Sequence, residues 1–96
     1  MVNTEDSYMT LTIEYIKNLK KSGRIKPGND VGLHWIDPPL KLVCLKDGTI
    51  RGHLLFKQGQ TVCANQFYDE TGFSYPNEVH LSIGYWWQPD AFEVKS

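Results

Sequence analysis

No stretch of this sequence approaches the ~20 consecutive apolar residues of a membrane-spanning helix, so no membrane association is expected. The segment from Met1 to Met9 holds two acidic residues and lacks the apolar centre of a secretory signal, which makes the cytoplasm the expected location. Cysteine is scarce, with Cys44 and Cys63 alone. His34, His53 and His80 are scattered, without the short-spaced Cys/His pairs that mark zinc sites, so no metal is expected. The eight glycines are dispersed, which excludes a phosphate-cradling loop, and no G-x-S-x-G or H-E-x-x-H occurs. Asp69 and Glu70 are adjacent and would point apart in an extended segment. No catalytic residue and no cofactor is therefore expected. An enzyme whose His, Cys and carboxylate groups converge from distant positions stands as a third-ranked reading.

Apolar residues make up 41% of the 96 positions and aromatic residues 12%, enough for one packed domain spanning residues 1–96, with a loose start at 1–6. A chain of this length hides only ~60–65% of its unfolded surface, so one modest core is the limit. Eight Tyr and Trp exceed what such a core absorbs, which places some of them at a surface. The net charge is −1, but it is unevenly spread. Residues 1–57 carry nine Lys/Arg against six Asp/Glu, and residues 58–96 carry one against five. Half of the basic residues lie between Lys17 and Lys26, a distribution that could steer a charged partner.

Tyr8, Leu11, Tyr15, Ile16 and Leu19 recur at helical spacing and predict a helix from about Ser7 to Ser22. Asp6 or Ser7 would cap it, Lys17, Lys20 and Lys21 suit its C-terminal dipole, and Gly23 would stop it. Strands are predicted at Val31–Ile36, Leu40–Leu45, Ile50–Lys57, Thr61–Tyr68 and Val79–Trp87, the last bulged at Gly84, with a short edge at Ala91–Val94. The breaks between them are Asp37-Pro38-Pro39, a hairpin turn at Asp47-Gly48, a turn at Gln58-Gly59 and a loop over Asp69–Glu78. The resulting expectation is an α+β fold: an N-terminal amphipathic helix on one face of a four- to five-stranded antiparallel meander. With two-residue turns, Val43, Leu45, Ile50, Leu54, Phe56, Cys63 and Phe67 would share the core face, and Leu42, Cys44, Arg51, His53, Leu55, Val62, Ala64 and Gln66 the other. The cysteines then point to opposite faces as free thiols; a disulfide is the alternative.

The most distinctive run is Gly84-Tyr85-Trp86-Trp87-Gln88-Pro89. Adjacent residues on a strand point to opposite faces, so one indole can be core while the other meets solvent or a partner. This predicts a partner-binding surface of Tyr85, Trp86, Trp87, Arg51 and His53. A plainer reading has both indoles clamp the sheet. Lys17, Lys20, Lys21, Arg24 and Lys26 form a second candidate surface, for phosphates.

Trp35-Ile36, Leu42-Val43-Cys44-Leu45, Asp47-Gly48, Phe67-Tyr68 and Trp86-Trp87-Gln88-Pro89 follow one another between Trp35 and Pro89, about half the chain. In these residues the segment resembles small phage and prophage proteins of unknown function. The N-terminal helix lies outside it, and the tail departs from that family's Met-Pro-Leu-Pro ending. The resemblance implies a short accessory protein of a mobile element that binds a host or phage macromolecule, for example as a defence-system inhibitor. The leading expectation is thus a protein partner, with nucleic acid, a nucleotide or a small ligand second. Pairing of edge strands into a homodimer is a further expectation.

Overall fold

Thr12 starts the helix, because its Oγ1 accepts the Tyr15 backbone N–H at 2.9 Å. This computed structural model describes residues 8–95, and the Asp6 and Ser7 caps expected from the sequence lie outside them. The N-terminal part of the expected helix is instead a strand, β1 (Tyr8–Thr10). Helix α1 (Ile13–Asn18) runs into a 3-10 turn over Leu19–Ser22, which Gly23 ends at φ 76°. Six helical residues are too few to persist alone. Burial of Ile16 and the neighbouring Leu11 against the sheet holds α1 in place.

The remaining strands are β2 (Ile25–Pro27), β3 (Leu33–Cys44), β4 (Gly48–Ile50), β5 (His53–Phe56), β6 (Thr61–Tyr68), β7 (Val79–Leu81), β8 (Trp86–Trp87) and β9 (Phe92–Lys95). Seven of them form an antiparallel sheet ordered β1-β9-β3-β6-β7-β8, with β2 pairing the first part of β3, while β4 and β5 form a separate hairpin. The α+β class holds, but the simple meander of four or five strands does not. Strand β9 is no edge: it inserts between β1 and β3.

Three local readings change. Asp37-Pro38-Pro39 lies within the twelve-residue β3, because the register against β6 shifts between Trp35 and Leu40 and tolerates prolines without ladder donors. Asp47-Gly48 is no hairpin turn. Asp47 Oδ1 accepts the Gln58 N–H at 2.7 Å, and Gly48 is glycine because a Cβ would stand 2.2 Å from the Phe56 ring. The hairpin turns one step later at Arg51-Gly52, whose φ values of 52° and 81° suit a type I′ turn. Finally, Val79–Trp87 is two strands, folded back by a turn with Gly84 at φ 103°.

These shifts invert the predicted core face. Leu42, Cys44, Val62 and Ala64 are buried, together with Ile36, Leu40, Phe67, Val79, Leu81, Phe92 and Val94. Val43 and Cys63 turn to the other side, and Leu45, Ile50 and Leu54 are exposed, Leu54 at 51%. Phe56 and Phe67 are core as expected. Phe67 joins Val62 and Ala64 on one face despite the odd spacing, because β6 slips against β7 between Ala64 and Gln66. Helix α1 covers one end of this inner face. The β4–β5 hairpin covers the other through Phe56, which meets Phe92 at 5.3 Å and Trp87 at 5.1 Å. The molecule measures 40 × 37 × 19 Å, which leaves depth for two layers. Both cysteines are free, Cys44 inside and Cys63 on the opposite side.

Candidate functional site

Residues directly opposite in an antiparallel pair project to the same face. Successive pairings Lys26↔Trp35, Trp35↔Gln66, Gln66↔His80 and His80↔Trp86 therefore draw one row across β2, β3, β6, β7 and β8. The row lies on the outer face, since the neighbouring residues Ile36, Phe67 and Val79 point inward.

At its β8 end Trp86 sits in an aromatic cluster. The Tyr75 ring lies parallel to the indole at 5.0 Å and 7°, with Tyr68 at 5.0 Å and His80 at 4.9 Å. Tyr75 belongs to the loop between β6 and β7. Tyr68 Oη anchors the cluster by donating to Asp30 Oδ2 at 2.7 Å, and this bond raises the phenol's pKa. His80 Nδ1 donates to Asn65 Oδ1 at 2.9 Å, leaving Nε2 as an acceptor. Burial holds the ring below its ordinary 6.5, so it is neutral at physiological pH. At the β2 end, Trp35 is 43% exposed and Lys26 Nζ pairs with Asp37 Oδ2 at 3.3 Å. The face thus gathers aromatic rings at one end and a paired cation at the other.

Comparison of the chain with protein-family models, curated proteins and solved structures finds no match.

The five expected partner-binding residues do not share one surface. Trp86 is on the outer row. Trp87 turns inward onto Phe56, meeting it edge-on at 78°. Tyr85 is exposed in the β7–β8 turn. Arg51 and His53 are exposed on the separate β4–β5 hairpin, on the inner side of the sheet. Trp35, Gln66, Tyr68, Tyr75 and His80 are the residues that the structure adds. Their signal was weak, because a register shift interrupts the alternation on both β3 and β6.

The basic cluster also divides. Lys17 Nζ pairs with Glu70 Oε1 at 2.8 Å, raising the ammonium's pKa and lowering the carboxyl's. Arg24 Nη2 donates to the Pro38 and Pro39 carbonyls at 2.6 and 3.4 Å, and Lys26 is paired as described. Lys20 and Lys21 are exposed at the end of the 3-10 turn. Nearby, His34 stacks on Phe67 at 4.9 Å and meets Asp69 Oδ2 through Nε2 at 3.0 Å. Asp69 Oδ1 accepts from both the backbone N–H and the hydroxyl of Thr71, which commits this carboxylate to its own turn. Among the described residues no three His, Cys, Asp or Glu converge as a metal site, and no helix is long and apolar enough to cross a membrane.

Proposed function

We propose that this chain is a small interaction protein whose outer sheet face binds a protein partner. One observation carries the reading: the row Trp35–Gln66–His80–Trp86 sets two indoles, an amide and a neutral imidazole on one face, buttressed by Tyr68 and Tyr75. Aromatic groups that combine apolar area with a polar atom dominate protein interfaces. A protein is favoured over nucleic acid because the row's one cation, Lys26, is already neutralised by Asp37, whereas nucleic-acid affinity rests on free cations. The resemblance to phage accessory proteins supports a host or phage macromolecule as the partner.

The test is affinity capture with the tagged full chain from the organism that encodes it, repeated with Trp35→Ala, Trp86→Ala and Lys20→Ala/Lys21→Ala. Both Trp variants are expected to weaken retention of the captured protein by about 30-fold or more, the effect of losing a hot-spot aromatic. The lysine variant should retain it. Full retention by both folded Trp variants would refute the assignment. Salt-sensitive capture of nucleic acid, abolished by the lysine variant, would replace it.

A further inference from the structure

Two carboxylates stand at the aromatic cluster, one at each end of Tyr68. At the ring end, Tyr68 Oη donates to Asp30 Oδ2 at 2.7 Å. At the backbone end, the Tyr68 N–H donates to the Glu78 carbonyl at 3.0 Å, which carries the pairings Gln66↔His80 and Phe67↔Val79 one residue further. Glu78 therefore shares the outer face with His80, two residues on. Its Oε2 accepts from Gln88 Nε2 at 2.9 Å. Glu78 also closes the turn that presents Tyr75, since its N–H donates to the Tyr75 carbonyl at 3.1 Å.

The charge at this end is one-sided. Among the described residues both carboxylates accept hydrogen bonds from neutral groups only: a phenol and a backbone N–H for Asp30, a side-chain amide for Glu78. The ion pairs among the described residues, Lys17–Glu70, Lys26–Asp37 and His34–Asp69, include neither. Tyr75 is 42% exposed although one face of its ring lies on the Trp86 indole, so the other face is open. An aromatic face attracts a cation through its quadrupole, and carboxylates without a cation beside it favour the same sign of ligand. Val31 and Phe73, 55% and 80% exposed, lie on the same two loops as Asp30 and Tyr75. These loops touch, because a Cβ on Gly32 would stand 2.6 Å from the Gly72 nitrogen.

We propose that the protein partner presents an arginine to this end of the outer face. The guanidinium stacks on the open face of Tyr75, the carboxylates of Asp30 and Glu78 supply the opposing charge, and apolar residues beside the arginine meet Val31 and Phe73. Arginine suits the place better than lysine, because a planar guanidinium both stacks on a ring and pairs with carboxylates. The inference rests on the outer face being a protein interface and names the chemistry of what docks there.

The test titrates the full chain at low salt with three glycine-capped peptides that alternate leucine with arginine, citrulline or glutamate. Amide chemical shifts provide the readout. The arginine peptide is expected to move the signals of Tyr75, Glu78 and Trp86. Citrulline has the same shape without the charge and should bind at least about tenfold more weakly, and glutamate more weakly still. Asp30→Asn/Glu78→Gln keeps an acceptor oxygen for Tyr68 and Gln88 and should weaken the arginine peptide about tenfold. Tyr75→Leu, apolar but without a ring face, should weaken it about threefold. Glu14→Gln/Glu93→Gln, which removes as much charge elsewhere, should leave it unchanged. The proposal is overturned if the arginine peptide binds no better than citrulline, if its shifts map away from Tyr75 and Trp86, or if folded Asp30→Asn/Glu78→Gln binds it at full strength. Any of these results beside Trp86-dependent capture of a protein removes the arginine and leaves the interface, whereas loss of the interface itself is read by the capture experiment. The peptide series uses the unaltered chain and gives its answer even if a variant does not fold.

Discussion

Asp69 is the residue whose replacement should most clearly change the stability of this fold. Burial alone would raise its pKa, but the Thr71 hydroxyl and backbone N–H, reinforced by the His34 ring, outweigh that and hold the carboxyl at about 2 against an ordinary 3.8. The side chain is only 18% exposed, so solvent screens these bonds little. A depression of that size corresponds to ~2.4 kcal/mol, because one pKa unit is worth about 1.4 kcal/mol. The sign follows from linkage. The folded value lies below the unfolded one, so the stabilisation is complete above about pH 5 and disappears as pH falls through the folded value toward pH 1. Asp69→Asn keeps an acceptor for Thr71 and removes the charge. At pH 7 it is expected to lose ~2 kcal/mol, or ~8–16 °C in melting temperature for a domain of this size. Thermal and urea unfolding of both proteins from pH 7 to pH 2 provide the assay. The gap between them should narrow steadily below about pH 5 and be mostly gone by pH 2. A gap that stays constant across that range, or no gap at pH 7, would refute the assignment of this stabilisation to the ionised carboxylate.

Two other perturbations follow from packing. Gly48→Ala would drive a methyl to 2.2 Å from a Phe56 ring already held by Phe92 and Trp87, and should cost ~1–3 kcal/mol in urea unfolding; an unchanged midpoint would show that the ring can move aside. Cys44 is buried and its thiol pKa is raised by that burial, whereas Cys63 is only partly covered on the outer side. A thiol-reactive disulfide reagent at neutral pH should therefore modify Cys63 in the folded chain and Cys44 only after denaturation, and equal rates in the folded state would contradict the observed sidedness.

Local chemistry was readable from the sequence wherever one residue's conformational preference dominated. Thr61–Tyr68 is a strand with the predicted ends, Gly23 stops the helical segment, and the Gln58-Gly59 turn forms with Gly59 at φ 86°. Asp47-Gly48 misled because a glycine can serve either chain reversal or close approach, and only the position of Phe56 shows which need applies. Helical spacing from Tyr8 to Ile16 predicts too long an N-terminal helix, because the neighbouring strand β9 offers hydrogen-bond partners that recruit Tyr8–Thr10 as β1. The candidate site was half legible: the Trp86-Trp87 pair announces opposed side chains, but its companions Trp35, Gln66 and His80 arrive from three other strands.

The type of most elements and the positions of several turns thus follow from the order of residues along the chain. Sidedness does not. Alternation assigns faces only up to a choice of parity, and each register shift, at Trp35/Leu40 and at Ala64/Gln66, resets that choice. Which indole faces out, and which row it joins, is settled by pairings between strands far apart in the chain, because those pairings set where the shifts occur and which apolar set α1 and the β4–β5 hairpin cover.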